Sequence, residues 1–242
     1  MDNNNIGNLQ ALWRQFGLSN NALYENEALE AVIIPGTEYP NRVWAKKELS
    51  TSTLRKIREF LQVNRKATFS LFCQSAATLI PLEAYGLELQ STQFGMSLPL
   101  NRTFSESDRL VFQQVLSDAE ILNWCETFEQ SFSYRINEDS LRATLPHLYC
   151  FLIKYGEEVV GTILLYPNDQ VAGIHSLGII PAWRGKGIAR EAMYLILNYA
   201  RKQGAKQAVL QASGMAKHLY ERIGFSHDFL MINTKLIPSW NL

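Results

Sequence analysis

The stretch Ile179-Ile180-Pro181-Ala182-Trp183-Arg184-Gly185-Lys186-Gly187-Ile188-Ala189 joins a strand end, a proline stop, a short turn with two glycines and the start of a long amphipathic run. Such a turn aims several unpaired backbone N–H groups at one point, and the dipole of the helix that follows adds positive potential there. Glycine lets a phosphate reach backbone that a side chain would shield. The Arg-x-x-Gly-x-Ala spacing is not that of a P-loop, which has four residues between its glycines and then Lys-Ser or Lys-Thr, and the three-glycine dinucleotide fingerprint is missing too. A plain strand-to-helix turn would use the same residues, so the motif alone leaves anion binding and simple chain reversal both open. The local charge favours the anion. From Arg184 to Arg222 there are eight Lys or Arg residues against two acids, in a chain whose 23 basic and 23 acidic residues cancel. That excess suits a small polyanionic ligand, whereas neither half of the chain has the basic surplus of a nucleic-acid-binding domain.

A second motif, Ala216-Lys217-His218-Leu219-Tyr220-Glu221-Arg222-Ile223-Gly224-Phe225, follows about 30 residues later. With these two motifs in this order, the segment Val111–Leu236 resembles the GNAT superfamily of acyl-CoA-dependent N-acyltransferases. Arg184–Ala189 matches the family's Arg/Gln-x-x-Gly-x-Gly/Ala pyrophosphate loop, and Ala216–Phe225 matches its Ala-x-x-Leu-Tyr-x-x-x-Gly-Phe motif. The resemblance implies an α/β fold with a mixed, mostly antiparallel sheet flanked by helices. It implies that acetyl-CoA is the cosubstrate, with its pyrophosphate on the loop Arg184, Gly185, Lys186, Gly187, Ile188 and Ala189 and its pantetheine arm along Leu177, Gly178 and Ile179. The strand ending at Ile179 should splay from the strand at Gln207–Ala212 and open a cleft for the thioester. Many members carry Asn three residues before the alanine of the second motif. Here that residue is Ser213, a departure from the pattern; the resemblance implies that its hydroxyl would take the place of that contact to the coenzyme arm.

By the same resemblance Tyr220 stands where the family often has a tyrosine that protonates the departing thiolate. A phenol with an ordinary pKa of about 10 keeps its proton at neutral pH and can donate it. Tyr220 also reads as a core residue that packs a helix on the sheet beside Leu219 and Phe225. His175 lies four residues before Ile179, a place similar to that of a proton-relay histidine in aralkylamine N-acetyltransferases. An imidazole of pKa about 6.5 suits that task; a strand histidine satisfied by a backbone partner is the alternative. Glu126 or Glu129, acting through water, is a competing source of base. His218 reads as a surface residue, and His147 and His227 have no supporting context. Cys73, Cys125 and Cys150 sit in apolar runs as core thiols, with no basic surroundings to make a nucleophile. No His, Cys or acid cluster has metal-ligand spacing, so no metal is expected.

The elements that must position these groups follow from periodicity. Helices are expected around Leu9–Phe16, Thr53–Val63, after Ser117 (a capping box with Glu120), Gly187–Gln203 and Met215–Ile223. Strands are expected at Leu29–Ile34, Arg42–Ala45, Thr68–Cys73, Gln93–Leu98, Leu110–Leu116, Tyr149–Tyr155, Glu158–Tyr166, Val171–Ile180, Gln207–Ala212 and Phe229–Leu236, with a hairpin at Gly156-Glu157. Leu82-Glu83-Ala84-Tyr85-Gly86-Leu87 echoes Tyr220-Glu221-Arg222-Ile223-Gly224-Phe225. Both precede a methionine-containing strand, which suggests two tandem GNAT-like units. The polar run Asn101–Asp108 is the expected linker, dividing the chain into 1–103, a degenerate or accessory unit, and 107–242, the N-acetyltransferase domain. The first segment has no loop like Arg184–Ala189 and so no expected coenzyme site. Tyr39, Arg42 and Trp44 around Pro40-Asn41 form either an ordinary turn with a core tryptophan or one wall of an acceptor pocket.

Hydrophobic residues make up 47% of 242, enough to exclude a disordered chain. The uncharged stretch Ala67–Leu82 is polar and too short to span a bilayer, and Met1-Asp2-Asn3-Asn4-Asn5 is no secretory signal. Three unpaired cysteines fit a reducing compartment. The expectation is a cytoplasmic N-acetyltransferase, monomer or homodimer, that passes an acetyl group to a primary amine of a small molecule or peptide, without nucleic-acid or membrane partners. A non-catalytic acyl-CoA-binding sensor or partner module is the alternative.

Overall fold

Residues 4–74, 82–106 and 108–237 are described in a computed structural model; Met1 to Asn3, Ser107 of the expected linker and most of the uncharged stretch after Gln74 lie outside them. The first segment supplies helices α1 (Asn4–Ser19) and α2 (Thr51–Val63) and strands β1 (Leu23–Glu25), β2 (Leu29–Val32), β3 (Arg42–Ala45), β4 (Thr68–Cys73) and β5 (Leu87–Pro99). The second supplies β6 (Leu110–Gln114), α3 (Asp118–Phe132), α4 (Glu138–Thr144), β7 (Tyr149–Tyr155), β8 (Glu158–Asn168), β9 (Val171–Ile179), α5 (Ile188–Lys202), β10 (Gln207–Ser213), α6 (Gly214–Ile223) and β11 (Ser226–Leu236). Local chemistry sets several boundaries. Ser50 caps α2 by accepting from the Thr53 N–H, and Ser117 and Glu120 close a reciprocal capping box on α3.

Among the described residues these strands form one sheet, in the order β1-β2-β3-β4-β11-β5-β10-β9-β8-β7-β6. Only β3/β4 and β9/β10 pair in parallel. Each unit thus has a parallel strand pair, then a helical turn ended by a left-handed glycine, then a long closing strand. The glycines are Gly86 (φ +70°) and Gly224 (φ +114°), and they are the two glycines of the six-residue echo. The closing strands are exchanged. β11 lies between β4 and β5, and β5 lies between β11 and β10, so each completes the sheet of the other unit. Leu87 pairs with Leu236 and Ser97 with Ser226, so the start of each closing strand meets the end of the other in an approximate two-fold arrangement. The fold is therefore a mixed α/β sheet of two tandem units flanked by helices.

Helices α1 and α3 cover one face of the sheet, around Trp13, Phe16, Trp124, Phe128 and Phe229. The other face is covered by α5 and α6 at one end, with Met193, Ile196 and Tyr220, and by α2 at the other, with Leu54, Ile57 and Leu61. Helix α1, from the first segment, packs directly on β9. That approach requires Gly173, because a Cβ there would lie 1.9 Å from Asn8 Oδ1.

Candidate active site

The parallel pairing of β9 with β10 stops early. Only Val171–Gly173 pair with Gln207–Val209, after which the two strands diverge as the spacing of the motifs predicts. A bulge in β9 widens the gap: Thr162 pairs with Gly178 but Leu164 with His175, and Ser176 takes φ +53°. The edge of β9 facing β10 is thereby left without a strand partner from Ile174 onward. Between the strands lies a cleft of about 180 Å³, lined by Leu177, His175, Gln211, Ser213, Tyr220 and others.

The glycine turn lies at the end of β9. Gly185 (φ +76°) and Gly187 (φ +81°) are both left-handed, and Gly187 is the N-cap of α5 with no side chain to satisfy the first-turn N–H groups. A Cβ on Gly185 would meet nothing within 4 Å, so the space above the loop is open. Glu191, in the first turn of α5, would repel an anion there, but its carboxylate is paired with the Arg109 guanidinium. Lys186 is anchored over the Trp183 ring at 4.2 Å. The Arg184 side chain does not point at the loop opening. Its guanidinium donates to the carbonyls of Ile179 (2.9 Å) and Ser131 (2.8 Å) and ties the end of β9 to α3. Its contribution to an anion site is therefore through the backbone and the position of the turn.

Tyr220 combines both roles foreseen for it. It is buried against Phe225, at a ring distance of 5.8 Å, and it also lines the cleft. Burial pushes its phenol up to about 12, so it keeps its proton at neutral pH. Ser213 lies at the rim, where its hydroxyl accepts from the Ala216 N–H and caps α6. His175 is 8% exposed, and burial lowers its pKa to about 4, with Gln211 acting in the opposite sense. Its Nε2 lies 3.4 Å from Asn8 Oδ1, so a side chain of the first unit helps to place it. Glu126 and Glu129 are exposed on α3 and do not line the cleft. His218 is exposed and bonded to Glu221. Cys125 and Cys150 are buried, and burial raises both thiols. Among the described residues no group of His, Cys, Asp and Glu could hold a metal ion.

With this geometry in view, comparison with known proteins is decisive. Residues 114–225 match the model of the Acetyltransferase (GNAT) family. Residues 114–225 are a GNAT domain. A curated relative, "Uncharacterized N-acetyltransferase YjgM" of Escherichia coli (strain K12), is 31% identical over 88 residues, covering 34% of this chain and 52% of the relative. The chain thus spans about half the length of that relative. Among solved structures, a "GCN5-related N-acetyltransferase from Kribbella flavida" superimposes with a TM-score of 0.70 at 15% identity, covering 99% of this chain and 98% of that one. A "Tandem GNAT protein from the clavulanic acid biosynthesis pathway" gives 0.59 at 9% identity, covering 99% and 97%. At such identities the two structures speak for the fold, and the second has the tandem arrangement seen here.

The open glycine turn and the unpaired edge of β9 lie within residues 171–220, inside this domain, as does the lining that β9 and β10 give the cleft. The first unit completes that cleft. Trp44 is a core residue, 1% exposed, its ring tilted against that of Trp13 at a centroid distance of 5.3 Å. Tyr39 and Arg42, by contrast, line the cleft together with Tyr134. Sequence reasoning named Tyr39 and Arg42 as an optional wall, but nothing in the spacing tied them to His175. The exchanged strands bring them together. No helix among the described residues is long and apolar enough to cross a membrane.

Proposed function

We propose that the protein transfers an acetyl group from acetyl-CoA to a primary amine, of a small molecule or a peptide, by direct attack. The observation that carries this reading is the left-handed Gly185/Gly187 turn opening α5 beside a cleft that holds both Tyr220 and His175. Gly185, Lys186, Gly187, Ile188 and Ala189 would hold the pyrophosphate through their N–H groups, Leu177, Gly178 and Ile179 the pantetheine arm, and Ser213 the far side of it. Bound acetyl-CoA supplies an activated acyl group, and every other step belongs to the chain. The bulged edge of β9 offers backbone donors to the thioester oxygen. Tyr220 holds a proton for the sulfur. His175 is neutral at pH 7, but accepting a proton from a free ammonium of pKa about 10 would be uphill by roughly 8 kcal/mol. The site therefore takes the amine in its neutral form, and His175 receives the proton once the nitrogen is bonding to the acyl carbon and has become acidic.

The division into 1–103 and 107–242 belongs to the same proposal, the first unit giving up a coenzyme site of its own and shaping the acceptor side instead. The test is a thiol-release screen with acetyl-CoA against amines, amino acids and peptides, alongside binding of CoA by thermal shift. Thiol release with acetylated product supports the enzyme. CoA binding without turnover across the panel would favour the sensor reading, and no CoA binding would refute both.

A further inference from the structure

Among the described residues Arg42 is the one Lys or Arg side chain that lines the cleft. It starts β3, next to the turn that carries Tyr39. Its Nε is buried and makes no hydrogen bond, and no acid among the described residues pairs with it. The other arginines near the site are committed: Arg184 to the carbonyls of Ile179 and Ser131, Arg109 to Glu191. Burial holds the Arg42 pKa below the usual guanidinium value, while the neighbouring Tyr134 and Tyr39 phenols act against that. Leaving a guanidinium without a counter-charge in such surroundings costs stability unless something else pairs with it. Among the described residues no Asp or Glu lines the cleft, so its described lining is short of one negative charge.

We propose that the missing charge comes with the acceptor, and that Arg42 binds a carboxylate of a small amino acid whose amine is acetylated. The planar guanidinium fork matches a carboxylate by two parallel hydrogen bonds. The absence of an acid in the cleft is equally apt, since a carboxylate there would hold the amine as unreactive ammonium. A cleft of about 180 Å³ suits a small amino acid rather than a folded chain. The inference rests on the acetyl-transfer reading and narrows its acceptor class. It also gives the first unit a task, since Arg42 and Tyr39 come from it and His175 and Tyr220 from the GNAT domain.

The experiment uses the full chain with two readouts, acetyl-CoA turnover and thermal stabilisation by acceptor in the presence of CoA. The probes are the protein L-α-amino acids with β-alanine and 4-aminobutyrate, each beside its own carboxamide. The carboxamide has the less basic amine, so a preference for the acid cannot arise from a larger neutral fraction. At least one acid should stabilise the protein and be acetylated with kcat/KM about tenfold to a hundredfold above its carboxamide. Arg42→Gln should bring that ratio close to one, and Arg42→Lys should restore part of it. Should Arg42→Gln fail to fold, the acid-to-carboxamide ratio of the wild type decides alone. Amines acetylated with no preference for the acid would overturn the inference and leave acetyl transfer standing. Stabilisation by an acid without turnover would support the Arg42 site and count against acetyl transfer. No stabilisation by any acid would overturn the site.

Discussion

His175→Gln tests the burial of the cleft histidine through stability, without any knowledge of the acceptor. The folded protein holds His175 at a pKa of about 4, below the ordinary 6.5, because burial disfavours the imidazolium. The unfolded chain takes up a proton as the pH falls through 6.5, while the folded one does not until about 4. The neutral, buried histidine therefore contributes its full stability above pH 6.5, loses it progressively between 6.5 and 4, and changes no further below. The shift corresponds to about 3 kcal/mol by linkage, or roughly 6–12 °C in Tm for a chain of this size. The assay is thermal unfolding of wild type and His175→Gln between pH 4 and 7.5. Carboxylates titrate in both proteins and cancel in the difference. The wild-type advantage over the variant should shrink by about that amount as the pH falls across the window. A difference that stays flat would refute a buried, neutral His175. With turnover in hand, kcat/KM expressed on the concentration of neutral amine should likewise fall near pH 4 rather than 6.5 if His175 is the base.

Gly187→Glu puts a side chain and a negative charge on the open turn at φ +81°, at a cost to folding of about 1–2 kcal/mol. The variant should fold and lose the rise in Tm that acetyl-CoA gives the wild type, whereas an undiminished rise would remove the loop from the coenzyme site. Arg109→Ala removes the guanidinium that pairs with the Glu191 carboxylate in the first turn of α5 and should weaken CoA binding several-fold in calorimetry. Adding Glu191→Gln should recover most of the loss, and failure to recover it would mean that charge is not the cause. Tyr220→Phe keeps the ring contact with Phe225 and removes only the hydroxyl. It should lower kcat by about 10²-fold with little change in KM for acetyl-CoA, and an unchanged kcat would return Tyr220 to a purely structural role.

Much of this could be read from the chain because its signals are local. β3, β4 and β7 begin and end at the expected residues, since each is a compact run of β-branched and aromatic side chains with clear stops. The Ser117 capping box and the glycine turn are equally local. β5 was legible only in its second half. Its first half, Leu87–Gln93, carries Glu88 and Gln90 and is largely exposed, so it lacks the apolar alternation that marks a strand. The seven-residue α4 and three-residue β1 are too short for a period to show. Tyr220, named from the second motif, and His175, named from the family resemblance, both line the cleft. The use of the Arg184 guanidinium as a tie between β9 and α3 was not legible, because its partners are backbone carbonyls and any residue supplies those. Nor was the meeting of Arg42 with His175, which depends on the register of strands far apart in sequence.

The exchange of β5 and β11 also sets an order of events at the ribosome. The bond from the Ile237 N–H to the Gly86 carbonyl, and the ten-pair ladder before it, join segments made early to segments made about 140 residues later. The first segment can form its helices and β1–β4 as it emerges, but the edge of β4 has no neighbour until Ser226–Leu236 has been synthesised. Such an edge is a template for other chains. Slow translation, or a nascent chain cut before β11, should therefore yield aggregates or pairs of chains that borrow each other's strands, where a protein built from two self-contained halves would leave one of them folded.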